Sequence, residues 1–209
     1  PRNGIARLNA NGSVDTSFDP GANGNVNGVV RQSDGKILVF GEFTMLGGGF
    51  TGTTVRRYVG RLNADGSLDT SFNPGANGRI VALVLQPDGR ILVGGFFTGL
   101  GGGTGTTPRS NIGRLNADGS VDAGFNPGAN GQVGGLALQA DGKVLVGGSF
   151  TMLGGGGSGT IARNRIGRLN ADGSLDVNFN PGANNTVFEL AVQSNGQIVV
   201  TGFFTGLGG

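Results

Sequence analysis

The chain has 209 residues, 46 of them Gly, with no Cys and no His. Disulfides, thiol nucleophiles, Cys/His zinc sites and every scheme with a His base are therefore excluded. Fifteen cations against 13 anions leave a net +2, and no Lys/Arg run exists, so nucleic acid is not expected as a partner.

Residues 1–20 open the chain as half of a repeating unit. "GIARLN" reads as a strand, "NANGS" as a turn, and "SVDTSF" as a brief further strand. Residues 26–32, "VNGVVRQ", form the next strand, apolar on both faces as in a sheet sandwiched between neighbours. A two-residue Asp-Gly turn, a strong hairpin signal, leads to "KILVFGEF". A Gly-rich loop (47–55), a third strand "RRYVGRLN" (56–63), the "NADGS" turn and a short strand through "LDTSF" follow. "NPGANG" then carries the chain into the next unit. No amphipathic helix is apparent, and no apolar run is long enough for a membrane-spanning helix.

The same series returns with 53–54-residue spacing. "RLNANGSVDTSFDPGANG" begins at Arg7, and its near-copies at Arg61, Arg114 and Arg168. The unit fits one propeller blade plus a loop. Small residues at Gly28, Ala82 and Gly135 suit close sheet packing. The pairs Gly94–Gly95 and Gly147–Gly148 imply a bulge or a close backbone approach. The last unit stops after its second strand, in "QIVVTGFFTGLGG". The expected organisation is an all-β propeller of four-stranded blades: half blade 1–20, blades 21–74, 75–127 and 128–181, and half blade 182–209. Pairing of the two halves would close a four-bladed ring and remove its free edges. An eight-bladed ring shared by two chains and an excerpt of a larger ring are the alternatives. Arg31 and Glu189, polar intrusions in the outer first strands, read as capping positions. The opening "PRNGIARLN" lacks Met and a signal h-region, so the chain reads as a mature product or an excerpt.

The phrases "LQxDGKILVGGxFT" and "RLNxDGSxDxxF", recurring over the whole chain, resemble the bacterial delta-60 repeat family. The resemblance implies tandem propeller modules in large exported bacterial proteins, hence a secreted or cell-surface setting. It carries no catalytic residues.

Several recurring residues are candidates for a site. Asn63, Asp65 and Asp69 match the third, fifth and ninth positions of a calcium loop, as do Asn116, Asp118 and Asp122, and Asn170, Asp172 and Asp176. The first-position ligand, however, would be Arg61, Arg114 or Arg168, a cation where the ion needs a carboxylate. The competing account is a turn, with side-chain oxygens accepting backbone N–H groups, Gly at φ > 0, and the later Asp paired with that Arg. This account is preferred, and no cofactor is expected. Arg56, Arg109 and Arg163, each just after a Gly-rich loop, would form a cationic ring on one binding face, or else pair with an Asp or cap backbone carbonyls in their own blades. The Gly-rich loops match no phosphate-binding motif; they would share one face of a propeller, where binding usually resides, but flexible surface connections are the preferred reading. Phe18, Phe72, Phe125 and Phe179, and Phe43, Phe97, Phe150 and Phe204, are expected in the core; Phe50 alone is a weak sugar platform. With only Glu42 and Glu189 as Glu, and the Asp residues absorbed by turns, catalysis is not expected. The function read from the sequence is a non-catalytic binding or scaffold module for a carbohydrate or protein partner. The alternative is a self-assembling unit of a fibre or surface layer, a homo-oligomer joined through the terminal half blades.

Overall fold

Strand and turn chemistry alternate so regularly that each repeat builds the same small sheet. The computed structural model describes residues 1–208; Gly209, the last residue of the half blade 182–209, lies outside the described residues. In the first full repeat β1 (Val26–Arg31) pairs antiparallel with β2 (Ile37–Gly41). A short hairpin, β3 (Met45–Leu46) with β4 (Thr54–Val55), follows, and β5 (Val59–Leu62) returns to the far edge of β2. The second repeat has the same plan in β6 (Ile80–Leu85), β7 (Ile91–Gly95), β8 (Gly99–Leu100), β9 (Thr107–Pro108) and β10 (Ile112–Leu115). The third has it in β11 (Val133–Leu138), β12 (Val144–Gly148), β13 (Met152–Leu153), β14 (Ile161–Ala162) and β15 (Ile166–Leu169). The last described sheet holds only β16 (Val187–Val192) and β17 (Ile198–Gly202).

The main sheets stack in chain order through their first strands, β1 against β6, β6 against β11, and β11 against β16. The core lies between sheets rather than within one. One cluster joins Leu38, Phe40 and Val59 of the first sheet, with Phe72 of the step that follows it, to Ile80 and Ile91 of the second. The next joins Leu92 and Ile112 to Phe125, Val133 and Val144. The two middle first strands are largely buried, whereas β1 alternates between half-buried and exposed.

Glycine sets the spacing. A Cβ on Gly94 would come 2.7 Å from Val133 of the next sheet, and one on Gly147 would come 2.6 Å from Val187. Gly95 and Gly148 press on the carbonyls of Arg79 and Gln132, opposite a bulge in each first strand. The close approach and the bulge expected from the Gly pairs therefore occur together.

Three expectations are corrected. The third strand is shorter than 56–63 because Tyr58 stands at φ 68°, outside the extended region, so the ladder begins at Val59. The fourth strand shrinks to one bridge, Leu62 with Leu68, because the Asp69 side chain folds the chain into a turn by accepting the Ser71 N–H. The Gly-rich segments are not loose connections. They form hairpins seated on the "NPGANG" step, where Ala22 bridges Leu46 and Gly47 N–H donates to the Gly21 carbonyl.

The described sheets are not closed into a ring. Residues 5–8, which align with the third strands, make a single bridge, Leu8 with Val14, inside their own hairpin, and β16–β17 stays two-stranded.

Gly12, Gly66, Gly119 and Gly173 have φ between 85° and 93°, as the turn chemistry requires. A Cβ at Gly66 would also lie 2.7 Å from the Phe18 ring, while one at Gly12 meets nothing. Gly12→Ala should therefore cost about 1 kcal/mol, from backbone strain alone. Gly66→Ala should cost clearly more. Urea melts of the two variants giving equal losses would refute the packing role of the turn.

Candidate functional site

The calcium-like motif forms a tight hairpin at one end of the blade. Asp65 Oδ1 accepts both the backbone N–H and the hydroxyl of Ser67, and Asn63 Nδ2 donates to the Ser67 hydroxyl. Asp118 with Asn116, and Asp172 with Asn170, repeat these bonds to Ser120 and Ser174. Asp69 lies apart from Asp65 in function. Its Oδ1 accepts from Ser71, and its Oδ2 accepts from Arg61 Nε at 2.9 Å and Lys36 Nζ at 2.8 Å. Asp176 holds the same two kinds of cation, Arg168 and Lys143, and Asp122 holds Arg114 with Arg90 at its margin. Among the described residues no group of three or more His, Cys, Asp or Glu is gathered to hold a metal ion.

The Arg at the head of the motif ties adjacent repeats together. The Arg61 guanidinium lies 4.3 Å over the Phe72 ring and donates through Nη1 to the Ala117 carbonyl in the next repeat's turn. Arg7 reaches Ala64 and Arg114 reaches Ala171 in the same way, each stacked on its own Phe. Gly119 of the receiving turn rests against that same Phe72, so the turn is gripped from both sides.

Burial pushes the Asp69 carboxyl up, but donation from Lys36, Ser71 and Arg61, with the Arg61 charge, holds it well below the usual carboxylate range. Burial of Asp122 is likewise outweighed by Arg114 and the Gly124 N–H. Donation from Lys143 leads the lowering at Asp176. In the exposed first copy the Ser17 hydroxyl and N–H, with Arg7, bring Asp15 down to about 2.

Arg56, Arg109 and Arg163 are buried. Arg56 donates to the carbonyls of Phe72, Val55 and Thr70. Arg109 donates to those of Phe125, Pro108, Asp122 and Ala123, and Arg163 to those of Ala162 and Val177. Burial lowers the pKa of Arg56 and of Arg109. Their donor forks point into the chain, so they tie the Gly-rich hairpin to the following step. Of the Phe residues expected in the core, Phe18, Phe43, Phe72, Phe97, Phe125 and Phe150 are buried, and Phe179 and Phe204 are half-buried in the last sheet; Phe50 is exposed.

Two features escaped the sequence reading. Asn77 clamps the Gly-rich hairpin, its Oδ1 accepting from the N–H groups of Thr98 and Gly99 and its Nδ2 donating to the Thr98 hydroxyl. Asn23, Asn130 and Asn184 do the same in their repeats. The constant 21-residue Asn-to-Thr spacing was the available signal. The second feature is a cavity of about 1000 Å³ on the face that carries the Gly-rich hairpins, spanning three repeats and lined in part by Glu42, Tyr58, Arg79, Phe96 and Asn111. Its signal was variation: Gly4, Tyr58, Asn111 and Arg165 share one repeat position and one backbone conformation, with φ between 65° and 74°.

A family model described as "Domain of unknown function (DUF5122) beta-propeller" matches residues 1–18, 32–72, 86–125 and 139–179. The chain therefore belongs to this family of β-propeller repeats. No curated protein matches it.

The depressed Asp carboxylates fix the direction of the pH response. Their pKa values lie below the ordinary value of about 3.9 that they regain on unfolding. Their stabilisation is thus complete above about pH 5 and is lost as the pH falls towards about 2. The melting temperature should drop between pH 6 and pH 3, and less steeply in Asp122→Asn. An unchanged melting temperature across that interval would refute the network's role.

Proposed function

We propose that this chain is a non-catalytic binding or scaffold module of an exported bacterial protein, one that presents its Gly-rich hairpin face to a carbohydrate or protein partner. The reading rests on how the two ends of the blades differ. At one end the recurring Asp residues are engaged with Arg, Lys and Ser. At the other, the constant Asn77, Asn130, Phe97 and Thr98 frame an open cavity into which positions that change from repeat to repeat, Glu42, Tyr58, Arg79 and Asn111 among them, also contribute. Binding surfaces usually take this form, variable groups on a stiff scaffold. Within the propeller family, the repeat phrases favour the delta-60 group, and with it export to the cell surface. We take the working module to have no resident cofactor. Circular dichroism melts in excess calcium and in chelator should coincide; a calcium-dependent rise would bring back an ion at Asp65 and Asp69.

One observation favours a second reading, self-assembly through the terminal half blades. Leu8 is 63% exposed, whereas its equivalents Leu62, Leu115 and Leu169 are fully buried. Val199 on β17 is 47% exposed, against 0% for Leu38, Leu92 and Leu145. A third-strand segment like 5–8, laid on the free edge of β17, would cover both surfaces, whether it comes from the same chain in a closed ring or from another copy. Light scattering after size exclusion separates the cases. We expect one compact species near the chain mass of 20.9 kDa. A ladder of masses would overturn the binding-module reading in favour of a filament, and a sharp dimer would point to a ring shared by two chains.

A further inference from the structure

We propose that the cavity on the hairpin face binds a neutral saccharide chain, with the Phe96 ring as its stacking platform and Arg79 and Glu42 as a clamp for neighbouring hydroxyls. The inference rests on the binding-module reading and narrows it to a site and a ligand class.

The first ground is that the backbone ladder does not dictate these side chains. Phe96 N–H donates to the Arg79 carbonyl at 2.9 Å. The same backbone bond joins Glu42 to Asn25, Ser149 to Gln132 and Phe203 to Thr186. Four unlike pairs of side chains thus serve one backbone role, so the sheet does not dictate their identity. Phe96 is nonetheless a large apolar ring left 62% exposed at the mouth of the cavity. A single exposed ring beside polar groups in a concave site has the form of a ligand-stacking platform.

The second ground is the charge. Arg79 Nη1 stands 3.4 Å from Glu42 Oε1, and its Nη2 stands 3.3 Å from Gln132 Oε1. Charge-assisted bonds are ordinarily about 2.7–2.9 Å, and exposed ion pairs of this kind contribute little. Both groups can therefore turn to a ligand at small cost. One cation beside one anion gives the site almost no net charge: an anionic ligand would meet Glu42 and a cationic one Arg79. Adjacent sugar hydroxyls suit the pair, one accepting from the guanidinium while its neighbour donates to the carboxylate. The C–H-rich face of a pyranose is weakly positive and matches the negative face of an aromatic ring.

The third ground weighs against a peptide. Strand addition needs unpaired main-chain groups. Around this cavity they are taken, by Gly95 N–H to the Asn111 carbonyl, Asn111 N–H to the Phe97 carbonyl, and Arg109 N–H to the Thr98 carbonyl.

The test is a titration of the isotope-labelled 209-residue chain with cellohexaose, maltohexaose and chitohexaose, followed by amide chemical shifts. At least one sugar should move the signals of residues 42, 79 and 96 at millimolar concentration or below. Phe96→Ala and Arg79→Ala should each weaken binding by about tenfold with an unchanged melting temperature. Phe203→Ala, on the last sheet, should leave it unaltered. No response to any of the three sugars, or undiminished binding by Phe96→Ala, would overturn the saccharide site. Shifts confined to the hairpins at 47–55 and 101–108 would overturn this site while upholding the binding module. So would capture of a protein partner that Phe96→Ala still binds.

Discussion

The Arg that heads each "RLN" segment is the interaction on which the repeat architecture depends. Arg61 lies on Phe72, pairs with Asp69 and reaches the carbonyl of Ala117 in the next repeat. Each contact needs the others. Without Asp69 the buried guanidinium would lose its counter-charge, and without Arg61 the buried carboxylate would lose part of its own; an uncompensated buried charge is costly. A Lys would keep the charge but lose the planar fork that serves the carboxylate and the carbonyl together. The third contact crosses the boundary between repeats, so it constrains the neighbour. The receiving turn must hold its carbonyl at a fixed place, and its Gly must bring bare backbone against Phe72. The recurrence of the Arg and the Gly in "RLNADGS" fits this two-sided demand, while its Asn, Asp and Ser bond within their own turn.

Much of the fold was legible because the period is short and each strand is punctuated. Asp-Gly turns at residues 34–35, 88–89 and 141–142 fixed the first hairpins, and the Arg61–Asp69 pair followed from their spacing across the turn. Two of the three misread features show the physical reason. The Tyr of "RRY" favours a strand, but Tyr58 adopts the left-handed conformation that Gly4 adopts without strain, and a propensity argument cannot anticipate that. The runs of Gly near 47, 101 and 154 resemble flexible linkers by composition. Their glycines instead serve positive φ and contact, with Gly21 packed on the Gly49 carbonyl and Gly75 on that of Gly103.

The candidate site was harder to read for a related reason. Recurrence drew attention to Arg56, Arg109 and Arg163, and recurrence is what a shared structural duty produces: all three hold backbone carbonyls. The cavity combines recurring frame residues such as Asn77 and Phe97 with positions that vary, such as Glu42, Tyr58 and Arg79, which have no common pattern to mark them. In a near-perfect repeat, constancy reports the demands of the frame, and departures from it are where other demands can act.

The same logic applies to the ends of the described array. Leu8 and Leu62 occupy one repeat position in nearly the same local sequence, yet one is open to solvent and the other is sealed. The difference is the partner strand: Leu62 pairs with Ile37 of its own sheet, and the equivalent edge for Leu8 is absent from the described ladders. Stability in such an array is a sum over neighbours. Arg31 at the end of β1 and Glu189 within β16 put charges where the middle copies carry Leu85, Leu138, Ala82 and Gly135. Within the described residues the surroundings of a repeat position are thus set by the strand beside it and not by its local sequence: the same Leu is sealed in one copy and open in another.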